Sequence, residues 1–292
     1  MTEWTLFDQA AMRRALDQAV CGLYTTGENP RVGAVIARGD QILSEAFHRA
    51  PGEPHAEILA MRKLDADRLV GATCYVTLEP CAHQGRTGPC ADALIAAGVT
   101  RVVAAMEDPN PLVSGRGIAR LRAAGIQVDV GLFEVEAHAL NRGFVQRMRA
   151  HRPWIWVKSA ASLDGKTAMA DGTSKWITGT EARRDVQRLR ARCGAIVTGI
   201  DTILADDPRL TVRYAEAGID WPTDLAERQP LRVVLDSSGR LPHDGALVHA
   251  EGPVLWVTTA PASHPALDSG RIMHWQAPSD AVGRIDLHAL MA

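Results

Sequence analysis

The order of apolar and amphipathic segments is what most limits the folds open to this chain. Strand-like runs such as VGAVIA (32–37) and TCYVTL (73–78) alternate with helix-like segments such as HAEILAMRKL (55–64). This alternation is typical of α/β folds, in which helices cover a sheet. The turn ARGDQ (37–41) before ILSEAF (42–47) also predicts a β-hairpin. We therefore expect an α/β protein.

The alternation occurs in two series, separated by the basic and aromatic stretch QRMRAHRPWIW (146–156). A chain of 292 residues also exceeds an ordinary single domain of ~100–200 residues. We place the first domain at 1–150 and the second at 151–292. In the second domain, WIWVKSAAS (154–162) is expected to form a strand.

Composition and charge exclude several classes of function. The net charge of −2 gives no field that would attract nucleic acid or an acidic membrane. No apolar run approaches the ~18 residues of a transmembrane helix, and the N-terminus lacks the basic and apolar regions of a signal peptide. The five cysteines are then expected to be reduced. These features favour a cytoplasmic protein that acts on small molecules.

The segment LEPCAHQGRTGPC (78–90) carries the most specific chemistry. Cys81 follows a strand-like run and Cys90 begins a helix-like segment, where a thiolate is favoured by the helix dipole. His55, at another helix start, supplies a third nitrogen or sulfur donor, and a catalytic zinc site needs three. Glu57 is suited to move protons without being a ligand. The sequence predicts a catalytic zinc site; a structural zinc site and metal-free thiols are the alternatives.

Two features qualify this zinc prediction. His55 and Glu57 lie roughly 200° apart on a regular helix, so both reach one site only beyond the helix end. The zinc deaminase signature has Cys-x-x-Cys, whereas eight residues separate the cysteines here. The longer loop adds His83 and Arg86, which suits a larger and more anionic substrate than a free base; a tolerated insertion is the alternative.

Eight short motifs follow one another along the chain: NPRVGAVI (29–36), GEPHAE (52–57), YVTLEPC (75–81), H-x-GRT-x-PC (83–90), EDPNP (107–111), SLDGK (162–166), WITG (176–179) and LADDPRLTVR (204–213). In this order they resemble the bifunctional riboflavin-biosynthesis deaminase–reductases over essentially the whole chain. The resemblance implies a cytidine-deaminase-like three-layer domain followed by a dihydrofolate-reductase-like α/β domain. It also implies deamination of 2,5-diamino-6-ribosylamino-4(3H)-pyrimidinone 5′-phosphate, then NADPH-dependent reduction of its ribosyl group to ribityl.

The same resemblance assigns roles to individual residues. It implies that His55, Cys81 and Cys90 bind Zn²⁺, and that Glu57 donates and accepts protons. Asn29 becomes a pyrimidine contact, with a turn residue as the alternative. NADPH would be contacted by Ala160, Trp176, Thr202, Asp206 and Ser237. The phosphoribosyl substrate would be contacted by Ser174, Arg190, Leu210 and Arg213.

The reductase assignment depends on the resemblance alone. The nearest approach to a Gly-x-Gly-x-x-Gly dinucleotide motif, GRGIAR (115–120), lacks the third glycine and is interpreted as a turn. The family's reductase domain continues beyond the position of Ala292, so a deaminase with a truncated, inactive reductase half is an alternative. A tRNA-adenosine-type deaminase is a remote one, disfavoured by the long Cys–Cys loop. We expect a homo-oligomer, either a dimer or a tetramer.

Overall fold

The computed structural model describes residues 3–82, 88–111 and 113–292. It divides the chain into two compact units, Met1–Trp154 and Ile155–Ala292. Among the described residues, no helix combines the length and apolar character needed to cross a bilayer. The predictions for His83 and Arg86 lie outside the described residues.

The first unit alternates helices and strands as the sequence predicts. Its elements are α1 (Leu6–Cys21), β1 (Gly33–Arg38), β2 (Gln41–Phe47), α2 (Ala56–Met61), α3 (Ala66–Leu69), β3 (Thr73–Val76), α4 (Cys90–Ala96), β4 (Arg101–Ala104), α5 (Arg116–Ala123), β5 (Gln127–Val130), α6 (Glu134–Leu140) and α7 (Arg142–Ala150).

The sheet of this unit has the order β2-β1-β3-β4-β5. The predicted hairpin is present, because β1 pairs antiparallel with β2. Strand β1 also pairs antiparallel with β3 on its other side. The strands β3, β4 and β5 are parallel, so their carboxyl ends lie at one edge of the sheet. Two apolar clusters cover the two faces of the sheet, one with side chains from α2, α4 and α5, the other with side chains from α1 and α6. This is the expected three-layer arrangement.

Helix α1 shows how local sequence builds one of these layers. Thr5 and Asp8 form a reciprocal capping box at its start, which satisfies backbone N–H groups that have no helical partner. The buried face then packs against β1 at Gly33, where a Cβ atom would lie 2.0 Å from the carbonyl oxygen of Ala15. Only glycine permits this close approach of helix and strand.

The second unit contains α8 (Thr180–Arg192), β6 (Ala195–Gly199), α9 (Ile200–Asp206), α10 (Tyr214–Ala217), β7 (Leu231–Leu235), α11 (Ala246–His249), β8 (Val254–Thr258), α12 (Pro265–Asp268), β9 (Met273–Gln276) and α13 (Leu287–Leu290). Its sheet is parallel throughout, in the order β6-β7-β8-β9. Apolar side chains of β7 and β8 form the centre of the core, as expected for strands buried on both faces.

Two local predictions are wrong, and one strand was not predicted. Residues 154–162 form no strand, and Val157 is 92% exposed, because an apolar run becomes a strand only where another strand offers it an edge. The segment GRGIAR is the start of α5, entered through a left-handed Gly115, and not only a turn. Strand β9 was not expected, since MHWQ has little alternation.

Candidate active site

The three predicted metal ligands come together where helix starts meet the carboxyl edge of the sheet. Cys81 lies five residues beyond the end of β3. Cys90 is the first residue of α4, and His55 caps the start of α2 in an extended conformation (φ −69°, ψ 162°). Because His55 is not helical, the 200° separation of a regular helix does not apply to His55 and Glu57.

The distances among the donor atoms fit a zinc ion. His55 Nδ1 lies 3.2 Å from Cys90 Sγ and 3.5 Å from Cys81 Sγ. All three ligating atoms lie within 4.8 Å of one another. Tetrahedral zinc with Zn–S of about 2.3 Å and Zn–N of about 2.0 Å places neighbouring N and S donors about 3.5 Å apart. Two thiols and one imidazole also match the ligand chemistry of a catalytic zinc site.

The pKa values of the three donor groups indicate how they would respond to a bound cation. The hydrogen bond with Cys90, opposed by burial, lowers the pKa of Cys81 to about 4. The hydrogen bond with Cys81 and burial raise the pKa of the Cys90 thiol. The hydrogen bond with Cys81 also raises the pKa of His55 to about 9, against the effect of burial. The protein thus favours one thiolate, and a divalent cation would allow both sulfurs to ionise, as zinc ligation requires.

Glu57, the predicted acid/base group, is a buried carboxyl beside this cluster. Its side chain is 3% exposed. Burial raises the pKa of the carboxyl, and the charge of His55 opposes the rise. His55, Cys81 and Cys90 all contribute to the pKa of Glu57, so its carboxyl lies near the donor atoms. A carboxyl in this position can take up a proton and release it beside the metal without ligating.

Asn29 is connected to this centre by His48, a residue that the sequence did not identify. Asn29 Nδ2 is 3.1 Å from Nε2 of His48, whose Nδ1 is 3.3 Å from the carbonyl oxygen of Pro54. The His48 ring also meets the His55 ring edge to face, with centroids 5.7 Å apart. His48 is 3% exposed, and burial lowers its pKa. It therefore joins the Asn29 turn to the segment that carries His55, the first predicted metal ligand.

A second missed residue, Asn141, holds the same turn from the other side. It is fully buried, its Oδ1 accepts from the backbone N–H of Arg31 at 2.8 Å, and its Nδ2 donates to the carbonyl of Arg31 at 3.0 Å. This pair of bonds fixes the backbone two residues after Asn29. No sequence signal marks Asn141, because its partner is 110 residues away.

Glu79, also missed, is a buried carboxylate two residues before Cys81. It accepts four backbone hydrogen bonds, from Asp108 and Gly115 to Oε2 at 3.1 and 2.9 Å, and from Gly117 and Ile118 to Oε1 at 2.9 and 3.1 Å. The sequence signal that could have identified Glu79 is an acidic residue after an otherwise apolar strand.

In the second unit, three of the predicted NADPH contacts lie at one edge of the sheet. Thr202 and Asp206 belong to α9, which begins directly after β6. Ser237 follows β7, the neighbouring strand. It lines a cavity of about 180 Å³ together with Ser238, Gly239 and residues 260–263 that follow β8. Ligands of open parallel sheets bind at such carboxyl edges.

The remaining predictions divide into two groups. Arg190 donates to the carbonyl of Thr211 at 3.1 Å, beside the buried Leu210. Burial and the positive charge of Arg213 lower the pKa of Arg190, so these two arginines are close together. Ala160, Ser174 and Trp176 lie instead in the irregular segment before α8. No described hydrogen bond or ion pair joins their side chains to Ser237.

Comparison with known families divides the chain at a similar place. Residues 6–106 match the model described as the cytidine and deoxycytidylate deaminase zinc-binding region. Residues 153–292 match the RibD C-terminal domain. The first match includes all three donors of the metal cluster, and the second includes the cavity beside Ser237.

Two proteins named for riboflavin biosynthesis are similar to this chain over most of its length. The riboflavin biosynthesis protein RibD of Escherichia coli (strain K12) is 48% identical over 289 residues, covering 97% of this chain and 77% of the relative. The protein of that name from Haemophilus influenzae is 47% identical over 89% of this chain and 71% of its own length.

Two solved structures resemble the chain closely. Acinetobacter baumannii RibD (form 1) has a TM-score of 0.83 and 46% identity, covering 92% of this chain and 74% of its own. A diaminohydroxyphosphoribosylaminopyrimidine deaminase/5-amino-6-(5-phosphoribosylamino)uracil reductase from Thermotoga maritima has a TM-score of 0.84 and 35% identity, covering 98% and 76%.

Proposed function

This chain belongs to the RibD family, the bifunctional deaminase–reductases of riboflavin biosynthesis, and from that premise we propose how its two halves divide the work. Residues 1–150 deaminate 2,5-diamino-6-ribosylamino-4(3H)-pyrimidinone 5′-phosphate. Residues 151–292 reduce the ribosyl group of the product to ribityl with NADPH. Zinc and NADPH are the two cofactors, in keeping with the matched deaminase and reductase domains. Because both halves match, two activities are favoured over a deaminase alone.

The deamination proposal is carried by one observation, the cluster of His55, Cys81 and Cys90 donors beside a buried Glu57. These three residues would hold the zinc. When bound, zinc activates water by lowering its pKa toward ~7. Hydrolytic deamination replaces a carbon–nitrogen bond by a carbon–oxygen bond and releases ammonia. Glu57 receives the proton that the water gives up and delivers it to the departing nitrogen.

The pyrimidine is held on the side of Asn29. The contact between Asn29 Nδ2 and His48 orients the amide, so its oxygen and nitrogen have fixed positions from which to bind a pyrimidine edge. Burial lowers the pKa of His48 and so disfavours its charged form. An uncharged imidazole is suited to lie beside the neutral pyrimidine ring of the substrate.

For the reductase, Ala160, Trp176, Thr202, Asp206 and Ser237 are proposed to contact NADPH. Ser174 and Leu210 would contact the substrate, together with Arg190 and Arg213. The positive charge of Arg213 near Arg190 supports this, because two neighbouring guanidinium groups can both bind the oxygens of one phosphate.

The first experiment measures zinc content and ammonia release from the diaminopyrimidine phosphate. We expect one zinc per chain and ammonia formation. In Glu57→Gln we expect full zinc content with ammonia release reduced by roughly 100-fold or more, since the proton carrier is lost while the ligands remain. Zinc-loaded wild-type protein that leaves this substrate untouched but deaminates tRNA adenosine would replace this function by the remote alternative.

The remaining proposals concern the type of substrate, the cellular compartment and the oligomeric state. We propose that the substrates are small molecules and not nucleic acids, which the net charge of −2 supports. The five cysteines form no disulfide among the described residues, which favours the reducing cytoplasm. A homo-oligomer, a dimer or a tetramer, is proposed from the edge strand β6, where Val197 is 44% exposed. Light scattering on the purified protein tests it, and a monomer would contradict it.

A further inference from the structure

The buried carboxylate of Glu79 lies two residues before Cys81 and is not one of the proposed zinc ligands. It is 3% exposed and accepts four backbone N–H groups. Among the described residues, no ion pair includes it. A buried carboxylate is stable only when donors replace its lost hydration. Two of those donors, the N–H groups of Gly117 and Ile118, belong to the first turn of α5, where the helix dipole also favours a negative charge.

These bonds press the start of α5 against the chain just before Cys81. A Cβ atom on Gly117 would lie 1.8 Å from the carbonyl oxygen of Pro80 and 3.2 Å from Glu79 Oε1. Nothing larger than glycine fits there unless the backbone moves. The backbone N–H of Glu79 also donates to the carbonyl of Met106 at 3.0 Å, which continues the parallel pairing of β3 and β4.

Cys81 is held on its other side by the first turn of α4. The backbone N–H of Cys90 donates to Cys81 Sγ at 3.3 Å, and the N–H of Ala91 donates to the carbonyl of Cys81 at 3.1 Å. The sulfur of Cys81 therefore lies on a short segment fixed from two directions. One direction is α4, which carries the other thiol, and the other is the loop and helix bound by Glu79.

We propose that Glu79 is a positioning residue for the metal: its carboxylate fixes the chain end that carries Cys81, and so sets the affinity and geometry of the zinc site. The proposal rests on the assignment of Cys81 as a zinc ligand. The mechanism is the general one by which groups behind the ligands hold them in place, and loss of such a partner typically lowers metal affinity by roughly 10–100-fold.

The test compares Glu79→Gln with a control on the opposite face of the sheet. Glu79→Gln replaces one oxygen by an amide NH₂, so two backbone donors lose their acceptor and face another donor. Asp8→Asn also alters a buried carboxylate, but Asp8 bonds to Tyr75 in the cluster under α1, away from α2 and α4. It controls for a general loss of stability.

Zinc affinity is measured by competition with a chelator, at a temperature where circular dichroism shows all variants folded. We expect Glu79→Gln to bind zinc roughly 10–100-fold more weakly, and Asp8→Asn to bind as the wild type does. In the cobalt(II) derivative, the thiolate-to-metal absorption band should shift or weaken in Glu79→Gln alone. Wild-type affinity and an unchanged cobalt spectrum in Glu79→Gln would overturn the proposal, as would an equal loss in Asp8→Asn.

Cys81→Ser separates this inference from the ligand assignment beneath it. If Cys81→Ser binds zinc as tightly as the wild type, the ligand assignment fails and the Glu79 proposal with it. If Cys81→Ser loses zinc while Glu79→Gln does not, the Glu79 proposal alone fails.

A measurement on the wild type covers the case in which Glu79→Gln does not fold. Coupling between two sites is reciprocal, so zinc removal should loosen what Glu79 binds. We expect hydrogen exchange at the amides of Asp108, Gly115, Gly117 and Ile118 to accelerate when zinc is removed, more than at the amides of α1. Equal exchange with and without zinc would overturn the proposal.

Discussion

The buried carboxylate of Asp8 joins three parts of the first unit, and its replacement by asparagine should weaken that unit in a pH-dependent way. Asp8 Oδ1 accepts from the Tyr75 hydroxyl at 2.8 Å and from Arg101 Nη1 at 2.6 Å. Asp8 Oδ2 accepts from the backbone N–H of Thr5 at 3.1 Å, which completes the cap of α1. An asparagine would present an NH₂ group to one of these donors.

The size of the effect follows from the pKa of Asp8. Burial alone would raise this pKa, but hydrogen bonds from Arg101, Tyr75 and Thr5 outweigh burial and lower it from 3.8 to about 2. At about 1.36 kcal/mol per pKa unit, and allowing for the 23% exposure of the Arg101 side chain, the charged form stabilises the fold by roughly 2 kcal/mol. Since the folded pKa is depressed, this stability is present above pH 3.8 and is lost as the pH falls toward 2.

The assay is urea unfolding of the wild type and Asp8→Asn from pH 7 to pH 3, after zinc removal. Pulsed hydrogen exchange of β3 and β4 peptides reports unfolding of the first unit separately. Groups shared by the two proteins cancel in the difference. We expect a gap of roughly 2 kcal/mol in unfolding free energy between pH 7 and 5 that shrinks below pH 4. A gap that stays constant to pH 3, or that is absent at pH 7, would refute the linkage.

The remaining predictions concern the core, the metal and the phosphate. Gly33→Ala should lower the unfolding free energy of the first unit by roughly 2 kcal/mol or more, because its Cβ would lie 2.0 Å from a backbone oxygen of α1; urea unfolding tests it. Cys81→Ser should abolish stoichiometric zinc in metal analysis, whereas Cys21→Ser at the exposed end of α1 should retain it. Arg190→Gln should raise the KM for the phosphorylated substrate by roughly 10-fold or more, with Arg192→Gln on the same helix as the matched control that stays near wild type.

The cluster of His55, Cys81 and Cys90 could be predicted because the position of each donor depends on residues close to it in sequence. Cys81 and Cys90 are placed by a strand end and a helix start, and His55 by another helix start, so each position could be read from its neighbours in sequence. The role of His55 as an extended cap was not predictable. Backbone angles at a helix end depend on what packs against that end, and only those angles bring His55 and Glu57 to one site.

The residues that hold the site could not be found in the same way. Asn141 binds the backbone of Arg31 across 110 residues, and Glu79 binds N–H groups 29 to 39 residues away. A hydrogen bond to a backbone group can form whatever side chain that partner residue has. The identity of the partner residue therefore does not reveal such a bond in the sequence.

The sequence by itself determined the α/β class and, through its ordered motifs, the family, and it predicted the zinc donors. The tertiary structure decided which apolar runs became strands and how the donors were fixed. Residues 154–162 have the apolar character of a strand but form none, whereas MHWQ became β9 because β8 offered it an edge. A motif consists of the residue types that a reaction needs, and these residues lie close together in the sequence. Strand pairing and the fixing of Cys81 through Glu79 depend on distant segments that only the folded chain brings together.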